Sequence, residues 1–157
     1  TSAAISQLDT MRQSEGTALV TDLEQACVSI GELVQQIRKR VPEVVAEHRQ
    51  RLLDRVAKVL ETHQARLDDN DVIREVALIA DRSDISEELV RLESHVEQFR
   101  SLLHDTAPGR SLDFLAQELG REANTIGSKS VDVAIAHAVV DLKSQVERIR
   151  EQAANIE

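Results

Sequence analysis

The chain has 157 residues, 41% of them apolar and 30% charged, which suits one domain or one elongated helical unit and argues against a disordered or sheet-rich chain. Its formal charge of −9 and its lack of a basic block disfavour long-range attraction of a polyanion, and with no Trp or Tyr only Phe99 and Phe114 could stack on bases. Cys27 is the single cysteine, which excludes an intrachain disulfide and fits a reducing cytoplasm, and no apolar run reaches the roughly 18 residues of a bilayer span.

In chain order, a first helix is predicted from about residue 4 to 40. Ile5, Leu8, Leu19, Leu23, Ala26, Ile30, Leu33, Ile37 and Val41 recur at helical steps and form one stripe. Arg12 and Glu15 interrupt it, and Gly16, unfavourable in a helix by about 1 kcal/mol relative to Ala, reads as a point of close backbone approach. Pro42 fits either the first turn of a second helix over about 42–66 or a kink in a continuous one. Val45, Leu52, Val56, Val59 and Leu60 form the apolar side of that stretch, with His48 and His63 nearby as structural or exposed side chains. Residues 1–68 thus read as a long helical hairpin, an assembly arm, and residues 69–157 as a C-terminal helical domain. Thr1 and the internal Met11 suggest a fragment whose natural N-terminal domain is missing.

Residues 65–70 read as a loop and about 71–81 as a short helix with Val72, Val76 and Ile79 on one side. Ser83 or Asp84 is placed to cap the next helix, with Glu87 in position to reach back. Its core stripe is Ile85, Leu89, Leu92, Val96, Phe99 and Leu103. A second stripe, Asp84, Glu88, Arg91, His95 and Gln98, advances by steps of 4, 3, 4 and 3 and shares one face; a solvated face has the same pattern. A turn follows around Pro108 and Gly109, and Ser111 is expected to cap a helix that Gly127 or Ser128 ends.

That helix carries more polar groups than an ordinary surface helix requires. Leu112, Leu115, Leu119 and Ile126 supply its core, while Asp113, Gln117, Arg121, Asn124 and Ser128 share a neighbouring face. Glu118 and Glu122 lie one turn apart, with Lys129 two turns on. The last helix is predicted over about 131–154, with Ile135, Val139, Leu142, Val146, Ile149, Ala153 and Ile156 inward and Lys143, Glu147 and Arg150 on an adjacent stripe. The fold class is all-α: a long helical hairpin plus a compact helical bundle, in an oligomer.

Three segments resemble motifs of the YicC-like endoribonuclease family. Residues 109–129, GRSLDFLAQELGREANTIGSK, follow the pattern GRxLDFLxQExxREANTxxSK. Residues 84–99, DISEELVRLESHVEQF, follow DISEExxRLxSHxxQF, and residues 150–157, REQAANIE, follow REQxxNIE. The resemblance is strong from about residue 70 onward and weaker upstream, where Arg12-Gln13-Ser14-Glu15-Gly16 carries it. It implies a bacterial, cytoplasmic, RNA-cleaving protein that assembles as a hexamer and carries a further N-terminal domain.

RNA cleavage can proceed through a divalent metal held by carboxylates, or through a general base at the 2′-hydroxyl with cations at the phosphate. His95, Glu118 and Glu122 are the leading catalytic and metal-ligand set, with Glu88 and Asp113 in reserve and Mn or Mg as the metal. His95 is the only histidine inside a family-like motif, and imidazole suits proton transfer near neutrality. Arg91, Arg121 and Lys129 are the expected phosphate contacts, with Gln117, Asn124 and Ser128 orienting phosphate or ribose hydroxyls. The same residues also suit surface ion pairs or a subunit interface. Two other functions stay open: a non-enzymatic adaptor that binds RNA or RNA-decay nucleases, and an oligomerising scaffold. The chain has no CxxC, HExxH, phosphate-cradling glycine loop or nucleophile elbow, which disfavours zinc proteases, NTPases and serine hydrolases.

Overall fold

Apolar residues at steps of three and four, with few glycines and prolines, leave helix as the economical way to bury this chain. The computed structural model describes residues 2–63, 73, 74, 77, 78, 84–105 and 109–154, and every regular element among them is α-helical. Four long helices result: α1 (Ser2–His63), α2 (Ser86–Leu102), α3 (Gly109–Lys129) and α4 (Val133–Ala153). Their main contacts run round a ring, α1 on α2, α2 on α3, α3 on α4 and α4 back on α1, which is a four-helix bundle.

One core unites them. Leu23, Ile30, Val34 and Ile37 of α1 meet Leu92 and Phe99 of α2, Leu112, Leu119 and Ile126 of α3, and Leu142 and Ile149 of α4, all fully buried. The stripes expected for α2, α3 and α4 are the buried ones, apart from Ile156, which lies outside the described residues. No described helix is long and apolar enough to cross a membrane.

The first half of the chain departs from the expected hairpin. Pro42 does not divide it, and α1 continues for 62 residues, about 90 Å at 1.5 Å per residue. Proline removes one backbone donor, but the flanking turns are tied down. Arg40 spans from Asp132, the N-cap of α4 (2.9 Å), to Glu43 (3.0 Å) and Glu47 (2.7 Å) on α1 itself, so one guanidinium ties the turns on both sides of Pro42 together and links α1 to the start of α4. The middle of α1 therefore belongs to the same core as the later helices, and only its ends project. Residues 10–18 are exposed, Val45 and Leu53 are exposed, and Leu52 and Val56 are half-buried. A Cβ at Gly16 would meet nothing within 4 Å, so no backbone approaches there among the described residues.

Local ends also differ. Asp84 accepts the Ser86 N–H at 2.9 Å, but Glu87 pairs with Arg91 (3.3 Å) instead of reaching back. Helix α3 already begins at Gly109, so Ser111 lies inside it. It runs to Lys129, and Gly127 lies within it, where a Cβ would meet Val139 Cγ1 of α4 at 3.1 Å. Gly127 thus serves close helix packing. Helix α4 is capped by Asp132, whose carboxylate accepts the Ile135 N–H at 3.0 Å. Of the short helix expected over 71–81, residues 73, 74, 77 and 78 are helical and exposed; Val72, Val76 and Ile79 lie outside the described residues, as do the side chains of Ile5, Leu8, Val59, Leu60 and His63.

Candidate metal centre

Two helices build the centre because each places polar residues one turn apart beside its core stripe. Helix α2 contributes Glu88, Arg91 and His95, and α3 contributes Glu118, Glu122 and Lys129. Packing of α2 against α3 brings the two sets together. His95, Glu118 and Glu122 each offer a ligand atom, and these atoms lie within 4.8 Å of one another. Ligand atoms about 2.1 Å from Mg2+ sit no more than about 4.2 Å apart, so the three groups are near the span one small cation requires. His95 Nδ1 is buried with no hydrogen-bond partner among the described residues, and such an atom is expected to be satisfied by something.

Each carboxylate is steered by an arginine. Arg91 Nε donates to Glu122 Oε1 at 2.8 Å, and Arg121 Nη1 lies 3.0 Å from Glu118 Oε1. Each acid keeps a second oxygen for another ligand. Glu122 is only 6% exposed, so its pairing with Arg91 offsets much of the cost of burying its charge. The hydrogen bond to Glu122, with the charges of Glu122, Glu88 and Glu87, raises the Arg91 pKa and keeps the guanidinium charged.

Behind the centre, Glu88 is 4% exposed and ties the two helices together. Its Oε1 accepts from Lys129 Nζ at 2.8 Å and from Arg91 Nη2 at 3.4 Å, and Lys129 also donates to the Asp84 carbonyl at 3.0 Å. Burial pushes the Glu88 carboxyl up, but the Lys129 hydrogen bond, a backbone hydrogen bond and both cations outweigh it, and its pKa falls below the ordinary 4.5. Asp84 is likewise held below its ordinary value by hydrogen bonds from Ser86.

The expected site residues thus divide into groups. His95, Glu118 and Glu122 converge. Glu88, a reserve ligand, has Oε1 held by Lys129 and Arg91 while its buried Oε2 has no hydrogen-bond partner among the described residues, and those two cations, expected at phosphate, have donors committed to the protein's own carboxylates. Asp113, the other reserve, is exposed, accepts from Gln117 at 2.9 Å and stands apart from the converging three. Ser128 donates to the Thr125 carbonyl at 2.9 Å. Gln117, Arg121 and Asn124 do share a face, and they line a groove between α3 and α4 whose other wall is Lys143, Val146, Glu147 and Arg150. Sequence reading placed Lys143 and Arg150 on a polar stripe without giving them a role. Their steps of 4 and 3 through Glu147 were the available signal.

Residues 37–157 match the family described as endoribonuclease YicC-like, C-terminal. The chain is 41% identical over 155 residues to the "Probable endoribonuclease YicC" of Clostridioides difficile (strain 630), covering 98% of this chain and 53% of that protein. It is 40% identical over 148 residues to the "Probable endoribonuclease YicC" of Haemophilus influenzae (strain ATCC 51907 / DSM 11121 / KW20 / Rd), covering 94% of this chain and 50% of that protein. The chain spans about half the length of these curated relatives and belongs to the YicC-like endoribonuclease family, with its match in the C-terminal part.

Proposed function

We propose that the chain forms the metal-binding part of a metal-dependent endoribonuclease, with His95, Glu118 and Glu122 holding Mn2+ or Mg2+. The observation that carries this reading is the convergence of the three ligating groups within 4.8 Å, with an arginine on each carboxylate. Two carboxylates and one imidazole suit a small, oxygen-preferring cation that tolerates nitrogen. When bound, such a cation supplies charge neutralisation at a phosphodiester and a more acidic water. Glu118 and Glu122 hold it by their free oxygens, His95 by a ring nitrogen, and Arg91 and Arg121 fix the direction of the acids. Arg121 is mostly exposed, so its guanidinium can also turn to a substrate phosphate.

RNA is the substrate class on this reading, supported by the names of the relatives. The homo-oligomer belongs to the same proposal, and the exposed ends of α1 supply surface for it. Partner RNA-decay nucleases belong to it as well. A cytoplasmic location belongs to the same proposal and is compatible with Cys27 buried as a free thiol.

The test is a nuclease-free cleavage assay with added Mn2+ or Mg2+, comparing the parent with H95A, E118Q and E122Q. Loss of cleavage in all three with helicity retained supports the reading. RNA binding without metal-stimulated cleavage by the parent favours the adaptor instead, and normal cleavage by all three variants contradicts the site.

A further inference from the structure

The groove between α3 and α4, about 630 Å³, lies on the face of α3 adjoining Glu118 and Glu122. Its charged lining is Arg121, Lys143, Glu147 and Arg150, three cations against one acid in a chain whose formal charge is −9. Arg121 and Arg150 are mostly exposed, at 74% and 57% of their side chains. Arg150 reaches Glu147 only at 3.8 Å, and Lys143 forms no ion pair among the described residues. Its Nζ stands beside Gly127, 3.7 Å from where a Cβ would be. The amides of Gln117 and Asn124 complete the polar floor; Phe99 is buried in the core, and Phe114, 59% exposed, precedes Gln117 by one turn of α3 without lining the groove.

We propose that this groove is a track for the backbone of single-stranded RNA, with Lys143 and Arg150 joining Arg121 at the phosphates and Gln117 and Asn124 at phosphate or ribose hydroxyls. The proposal rests on the endoribonuclease reading for the strand's identity as RNA; the groove itself is built for phosphodiester. Packed helices have axes about 8–10 Å apart, and a furrow between them takes one strand and not a duplex. No aromatic side chain lines the groove itself, so the contacts within it go to the backbone, which fixes position without reading bases. Arg121 links the track to the metal centre, because the same guanidinium pairs with Glu118 at 3.0 Å. The groove and the converging acids flank α3 on different sides, toward α4 and α2 respectively, with Arg121 between them. The groove also answers the charge objection: attraction is local, through a few cations, in an otherwise acidic chain.

The test is fluorescence anisotropy of labelled 12-nucleotide single-stranded RNAs of different sequence, titrated with the 157-residue chain in EDTA across a salt series. The K143Q/R150Q variant is expected to bind at least about tenfold more weakly, equally for every sequence, with a salt slope shallower by about 1.4, since each phosphate contact to a single strand contributes about 0.7. R49Q/R55Q removes the same charge from α1 and is expected to keep the parental slope. Equal binding by K143Q/R150Q, an equal loss in R49Q/R55Q, or no RNA affinity in the parent overturns the track. A parallel Mn2+ titration separates this inference from the reading beneath it. Mn2+ binding that survives K143Q/R150Q while RNA binding is unchanged leaves the metal centre standing and removes the track. RNA binding that falls as expected in a chain that binds no Mn2+ removes the metal centre and leaves a backbone-binding groove.

Discussion

Arg91 Nε donates to Glu122 Oε1 at 2.8 Å across the α2–α3 interface, so a residue expected at substrate phosphate instead aims a candidate metal ligand. Such supporting hydrogen bonds fix the orientation of a ligating carboxylate, and their loss typically weakens metal binding about 10–100-fold. R91M is therefore expected to lower Mn2+ affinity within that range while circular dichroism stays parental. An unchanged Mn2+ affinity would separate Arg91 from the centre.

Glu88 links pH to stability. Its folded pKa lies below its ordinary 4.5, so its contribution is fully present above that value and is lost as pH falls through 4.5 toward the folded value. Thermal midpoints measured between pH 6 and pH 3 are expected to drop for the parent. In E88Q, which cannot ionise, the drop is expected to be smaller. Lys129 and Arg91 are both partly exposed and regain water when Glu88 is neutralised, so the expected loss near neutrality is modest, about 1–3 kcal/mol. Parallel curves for the two proteins would remove Glu88 from the account.

Asp132 does two jobs at the start of α4, accepting the Ile135 N–H at 3.0 Å and pairing with Arg40 of α1 at 2.9 Å. D132A is expected to cost about 1–2 kcal/mol from the lost cap alone. R40M leaves the cap in place and removes the link to α1. Urea unfolding of both is expected to show a lower midpoint with little change in slope. A parental midpoint in D132A would mean that the cap contributes nothing.

Two glycines are expected to respond in opposite senses. A Cβ at Gly31 would meet nothing within 4 Å, so G31A is expected to stabilise by about 0.5–1 kcal/mol through helix propensity. A Cβ at Gly127 would meet Val139 Cγ1 at 3.1 Å, so the larger G127V forces α3 from α4 and is expected to destabilise by about 1–3 kcal/mol. Chemical denaturation of the pair checks this, and a stabilised G127V would contradict the close packing assigned to that position.

The core was legible where its signal is local. Leu89, Leu92, Val96 and Phe99, like Leu112, Leu115 and Leu119, repeat at helical steps, and all are buried. Pro42 was not legible, because proline at a first turn and proline inside a continuous helix look alike until Arg40 and its partners on both sides are seen. In the centre, spacing put His95 on the polar stripe of α2 and Glu118 and Glu122 one turn apart on α3, and the family resemblance singled the three out. The inward turn of Arg91 and Lys129 toward Glu122 and Glu88 was not, because a spacing gives the face of a helix and not the charge opposite it. Lys143 and Arg150 gained their place for the same reason in reverse: their stripe was visible, and its partner across the groove was not.

The central claim is that His95, Glu118 and Glu122 hold one divalent cation. The direct measurement is electron paramagnetic resonance of free Mn2+ during titration of the parent chain and of H95A/E118Q/E122Q, with helicity followed in both. The expected result is one Mn2+ taken up per parent chain and none by the equally helical variant. Equal uptake by the two, or no uptake by the parent, would contradict it.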